Sequence, residues 1–185
     1  MNYHIVTYSG PFGFIKPWTA VRDDLTFSQQ FLTPSIIEGM RQKLGVETIL
    51  RHRLTYEAIS LQQEVIQTRG WKVRKKKKRY DRPRSILQRG VLLNPSLTLA
   101  FASEEDAEKA IKQHICLCRN EDVLLPEPRI HEETAEAFHA RQGFELMFEE
   151  TPESFMVGYN RFQDAQPMFG WIYVSDKPLK NEDSI

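Results

Sequence analysis

The sequence predicts an α+β, ferredoxin-like domain of βαββαβ order, carrying a long basic arm and an elaborated C-terminal part. Three observations predict it. A β-rich opening, Tyr3 to Tyr8, precedes a well-signalled helix start at Thr33-Pro34-Ser35. Two strand-like segments follow, separated by a dense run of cations, and a second capped helix at Ser103 leads into further strand-like segments. The same order is found in RNA-recognition modules, although a fold alone does not give a function.

Tyr3 to Tyr8, YHIVTY, alternates and is rich in β-formers, and Ser9-Gly10-Pro11 ends it in a turn. Phe12 to Leu32 reads as an ordered loop, with Phe12, Phe14 and Phe27 plugging the core and Lys16, Trp18 and Arg22 forming a set able to contact a phosphate backbone. Thr33 is the expected N-cap and Pro34 the first helical residue. The helix buries Ile36, Ile37, Met40 and Leu44 and stops at Gly45. Gly39 costs that helix about 1 kcal/mol relative to Ala, which predicts a close approach of backbone or ligand there.

Arg51 to Gln67 reads as extended structure with irregularities, and Ser85 to Leu93 turns at Asn94-Pro95 into Leu97 to Phe101. Ser103 with Asp106 resembles a capping box. A stripe of Ala107, Ala110, Ile111, His114, Ile115 and Leu117 predicts the clearest helix of the chain. Asn120 to Pro128 reads as a connection and Glu132 to Gln142 as a helix ending at Gly143. Phe144 to Phe148 and Phe169 to Val174 read as strands joined through Gly158-Tyr159-Asn160-Arg161-Phe162, where Asn160 and Arg161 suit base or backbone contact. The expected organisation is one domain over 1–176 with the arm inserted at about 68–85, and a flexible tail over 177–185.

The charge is segregated. Totals of 25 basic and 25 acidic residues hide a stretch, Arg69 to Arg89, with eleven Lys or Arg against the single acid Asp81. Cations at this density repel one another unless a polyanion such as nucleic-acid phosphate neutralises them, so the arm is expected to be disordered in the free chain. Trp71 and Tyr80 flank the run and offer rings on which unpaired bases stack. The candidate binding set there is Trp71, Lys72, Arg74, Lys75, Lys76, Lys77, Lys78, Arg79, Tyr80, Arg82 and Arg84. Conversely, Ala102 to Phe155 holds fourteen acids against five basic residues.

No apolar run approaches the roughly 20 residues of a membrane span, and Met1 to Ser9 lacks the pattern of a secretory signal, so no membrane is expected as a partner and the expected compartment is the cytoplasm. Cys116 and Cys118, two apart in a helix-like segment, diverge and favour neither disulfide nor metal. Phosphate-binding loops, zinc-protease signatures and nucleophile elbows are absent from the sequence, and its five histidines are scattered. Neither metal nor cofactor is expected, and no catalytic residue is assigned. Metal-free RNA cleavage remains the enzymatic alternative, with His4, His52 or Tyr56 as its acid or base.

The stretch YSGPFGFIKPWTAVRDDLTFSQQFLTPSIIEGMRQKLG, Tyr8 to Gly45, resembles the N-terminal signature of the "Cas five" family of CRISPR-associated RAMP proteins. The shared features are a Gly turn at Gly10, an Arg-bearing loop at Arg22, a helix start at Thr33-Pro34-Ser35, Gly39 one turn on, and the closing Leu44-Gly45. Arg84 to Phe101, RSILQRGVLLNPSLTLAF, is similar to the family's strand pair after its projecting thumb, with Gln88 and Arg89 at polar positions. The family's C-terminal Tyr-Leu-Gly-Arg/Cys segment has no counterpart between Asn120 and Gly143, nor does the catalytic Lys-His pair of its RNA-cleaving branch. The resemblance implies a RAMP-like, non-catalytic subunit of a Cascade-type RNA-guided complex. Such a subunit grips the 5′ handle of the CRISPR RNA and caps the row of repeated backbone subunits. It also meets the large PAM-recognising subunit, close to the target DNA at the PAM. The alternatives are a RAMP-type endoribonuclease processing precursor RNA and a generic nucleic-acid-binding protein outside CRISPR.

Overall fold

The computed structural model describes residues 1–17, 25–67, 70–74, 79–160 and 163–175. Along the chain these form β1 (Asn2–Ser9), β2 (Phe12–Gly13), β3 (Leu25–Phe27), α1 (Pro34–Leu44), β4 (Arg51–Thr55) and β5 (Ala58–Gln67). Next come β6 (Lys72–Arg74), β7 (Arg79–Asp81), β8 (Arg84–Leu93), β9 (Ser96–Phe101), α2 (Glu104–Ala110), β10 (Ile115–Cys116) and β11 (Val123–Pro126). β12 (His131–Thr134), α3 (Ala135–His139), β13 (Phe144–Met147), β14 (Phe155–Asn160) and β15 (Gln166–Val174) complete the described chain.

This corrects the predicted fold class. Strands make up 49% of the described residues and helices 15%, in large antiparallel sheets, so the chain is mostly β and not a small ferredoxin-like α+β domain. The main sheet has nine strands in the order β10-β11-β1-β9-β4-β13-β15-β14, with β12 also on β1. A four-stranded sheet joins β2, β3 and β5 to β8, and β6 pairs with β7.

The helical stripes overstate the helices. α2 begins as expected, with Ser103 Oγ accepting the Asp106 N–H at 3.3 Å, but it ends at Ala110. Ile115 and Cys116 pair instead with Leu124 and Val123 inside what reads as a connection. Glu132 to Thr134 likewise belongs to β12, which pairs with Tyr3 and its neighbours on β1, leaving α3 only five residues. In both places distant strands take up backbone groups that a further helical turn would have used. Among the described residues no helix is long and apolar enough to cross a membrane.

α1 follows its local signals. Pro34 stands at its start, and Gly45 ends it at φ 68°, its N–H on the Arg41 and Gln42 carbonyls. Thr33 occupies the cap position without a side-chain hydrogen bond to the helix. Gly39 is exposed and a Cβ there would meet nothing within 4 Å, so the predicted close approach does not occur in the free chain. Val6, Tyr8, Leu54, Leu97, Leu99 and Phe101 turn one sheet face to Ile37, Met40 and Leu44 of α1 and to Ala107 and Ala110 of α2. Tyr8 also donates its hydroxyl to the Ala110 carbonyl at 2.7 Å. On the opposite face Tyr3, Ile5 and Ala100 pack against Phe138 of α3.

The C-terminal strands join the centre of the sheet through one ladder pair, Phe144 with Leu54. Gly143, at φ 122°, permits that junction, since a Cβ there would lie 2.5 Å from the Leu54 carbonyl oxygen. A buried carboxylate reinforces it. Glu145 accepts both Arg51 guanidinium donors at 2.7 and 2.8 Å, the His52 backbone N–H at 3.1 Å, and an ion pair from Arg53 at 3.2 Å. Arg53 is 1% exposed and is held between the rings of Tyr173, at 4.5 Å, and Phe138, at 5.7 Å. Removing the carboxylate leaves the buried Arg53 guanidinium and the half-buried one of Arg51 without their counter-charge, so Glu145→Ala is expected to lower the unfolding free energy by about 3–5 kcal/mol. Urea unfolding followed by circular dichroism measures that loss.

Candidate nucleic-acid interface

The described parts of the basic segment continue a long two-stranded arm. β5 and β8 pair without interruption from Ala58 with Leu93 to Gln67 with Arg84, ten residues on each strand. Beyond them β6 and β7 continue as a second ladder, Lys72 opposite Asp81, Val73 opposite Tyr80 and Arg74 opposite Arg79. Disorder is expected for this part of the arm, whereas 72–74 and 79–81 are paired: backbone hydrogen bonds between β6 and β7 hold the cation-bearing strands in register.

This pairing gathers residues that are distant in sequence. Gln67, Trp71, Lys72, Tyr80, Arg82 and Arg84 line one open cleft of about 550 Å³, together with Asp81 and Pro83. The Arg82 guanidinium lies 4.5 Å from the centroid of the Trp71 ring, and Trp71 and Tyr80 are both exposed. A cleft of this size with two rings and three cations has the means to stack a splayed base and neutralise its phosphate. Of the predicted set, Trp71, Lys72, Tyr80, Arg82 and Arg84 are therefore brought together. The backbone register alone places Arg74 and Arg79. Trp18, Arg22, Lys75, Lys76, Lys77, Lys78 and Arg161 lie outside the described residues, as does the predicted tail.

The remaining candidates lie elsewhere. Gln88 is exposed midway along the arm, opposite Gln63. Arg89 sits nearer the root, ion-paired to Glu64 at 3.2 Å and 5.6 Å from the centroid of the Phe14 ring, so it braces the arm. Lys16 is exposed beside the buried Phe14 and Ile15. Asn160 ends β14 in the other sheet and donates to Gln163 at 3.1 Å. Phe27, expected in the core, is instead exposed on the arm. The sequence reading missed Gln67 as a cleft residue, and only its register opposite Arg84 reveals it.

Of the three residues considered for RNA cleavage, Tyr56 and His52 are core groups and His4 is half-buried. Tyr56 is buried with its ring parallel to Phe144, centroids 5.9 Å apart. His52 is buried against Phe148, and burial pushes its pKa down to about 4, against the pull of Glu145 in the other direction. His4 lies within β1, between Phe101 of β9 and Glu132 of β12 in register. Among the described residues no group of three His, Cys, Asp or Glu side chains is placed to hold a metal ion.

Unfolded His titrates near 6.5 and folded His52 near 4, so between these values the unfolded chain binds more protons. Its contribution to stability is complete above about pH 6.5 and is lost as pH falls through about 4, to a total of about 3 kcal/mol. Urea unfolding at a series of pH values is expected to show this slope in the natural chain and to lose that part of it in His52→Phe.

Comparison with known proteins adds no family to this geometry: no family model matches the chain, and no curated protein matches it.

Proposed function

We propose that this chain is an RNA-binding structural subunit of a CRISPR Cascade-type complex, which grips the 5′ handle of the guide RNA with its arm. The observation that carries the proposal is the cleft at the arm tip, where Trp71, Tyr80, Lys72, Arg82 and Arg84 converge at the end of a ten-pair ladder. Recognition of a kinked single strand needs cations on phosphates and rings under unstacked bases. The resemblance of Tyr8 to Gly45 and of Arg84 to Phe101 to the "Cas five" family supplies the particular RNA. In that setting base pairing by the guide reads the target sequence while protein contacts read handle and shape. The subunit would cap the backbone subunits and face the large subunit near the PAM. The burial of His52 and Tyr56 counts against a role for either in cleavage.

The test is binding of labelled RNA over a salt series, comparing the host's repeat-derived 5′ handle with a scrambled strand on gels that also report cleavage. Handle-selective binding without cleavage is expected. Trp71→Ala and Tyr80→Ala should each weaken it by about 1–3 kcal/mol. Changing Lys75 to Lys78 to Ala should weaken it further and flatten the dependence on salt. Equal affinity for both strands would instead mark a generic nucleic-acid binder, and handle-selective cleavage a processing enzyme.

A further inference from the structure

One face of the arm is apolar along most of its length below the cleft. Residues directly opposite on paired strands share a face, so Leu61 with Gly90, Gln63 with Gln88, and Val65 with Ile86 lie on one side of the ladder. β3 extends this side, with Leu25 beside Gln88 and Phe27 beside Gly90. The Phe27 ring covers the glycine, since a Cβ on Gly90 would come within 2.3 Å of its Cδ1. Leu61, Val65 and Ile86 are 57%, 62% and 56% exposed, and Leu25, Phe27 and Ile59 are exposed as well. At its inner end the face runs into the core through Ile59, whose partner Leu92 is fully buried.

Six large apolar side chains at about half exposure present roughly 500 Å² on one side of a sheet, at the upper end of what a monomer leaves uncovered. Their chemistry disfavours RNA as the occupant: five of the six are aliphatic and neither neutralise phosphate nor stack bases, the one ring, Phe27, lies over Gly90, and the described strand residues on this face include one cation, Arg84, at the tip end.

We propose that this face is a self-association surface, covered by the same face of a second copy. Two such patches together bury at most about 1,000 Å², the least that a biological interface needs and the range of a weak, reversible contact, and a self-complementary contact closes at two copies. The formal net charge of the chain is zero, but each arm carries the local excess of cations between Arg69 and Arg89, so two arms meet favourably only with those ends apart. The like-charged tips require the two arms to cross head to tail, which sets each basic tip at the far end from the other. Sheet faces packed in this way lie about 10 Å apart with interleaved side chains.

Sedimentation equilibrium of the full chain across the micromolar range, without RNA and in low and high salt, tests it. A dimer that persists in high salt is expected. Leu61→Gln with Val65→Gln, and separately Ile86→Gln, should each weaken it at least about tenfold. Circular dichroism and the urea midpoint should stay unchanged, because these side chains are largely exposed in the single chain. A monomer throughout would overturn the proposal, as would a dimer indifferent to these substitutions. So would a dimer that salt dissolves, since that would mark pairing of the basic arm with the acidic 102–155 segment.

Discussion

Glu145 is the contact on which the assembly of the main sheet depends. The strands on either side of it meet through one backbone ladder pair, so the register between Arg51–Thr55 and Phe144–Met147 rests largely on a carboxylate and the groups that converge on it. A buried ion pair is rarely a net source of stability, because two charges must be taken out of water. Here its value is positional. The fork of Arg51 fits both carboxylate oxygens, the His52 amide fixes one of them, and Arg53, clamped between two rings, admits few alternative registers. The excess of two guanidinium groups over one carboxylate is tolerated because aromatic faces take part of the load.

The arm follows the opposite rule, since regular backbone pairing holds it and its side chains are left for other work. Its root is locked by Arg89 between Glu64 and Phe14 and by Leu92 in the core. Outward from there the two faces diverge and the tip becomes cationic. Backbone hydrogen bonds form whatever the side chain, so the ladder keeps its register although Arg74 stands opposite Arg79, a like-charge pairing that costs stability.

Legibility in the sequence tracked how local the cause was. The first helix was readable from Pro34 and Gly45 because both act within one turn. The two later helices are overextended in the sequence reading, one because the apolar period continues through Ile115 and the other because Glu132 to Thr134 holds no Gly or Pro to break it, where distant strands claim the backbone. Strand β14 was hidden by Gly158, which reads as a turn but serves an irregular stretch of ladder at φ 144°. At the tip, composition identified the cations and rings. Their grouping around one cleft depended on Lys72 facing Asp81, which composition does not encode. The Glu145 contacts span about ninety residues of chain and left no local trace at all.

The register at the foot of the arm has an architectural meaning. Thr55 and Ser96 face each other across adjacent strands of the main sheet, so everything between them is an excursion from what would otherwise be a plain hairpin. Closing a longer loop costs little extra entropy, about 0.6 kcal/mol per doubling of its length. The excursion can therefore lengthen, shorten or change its tip beyond the Ser60–Val91 pair while Leu92 keeps its place inside. Body and appendage are in this sense separable modules, and variation in what the tip grasps need not be matched by variation in the sheet that carries it.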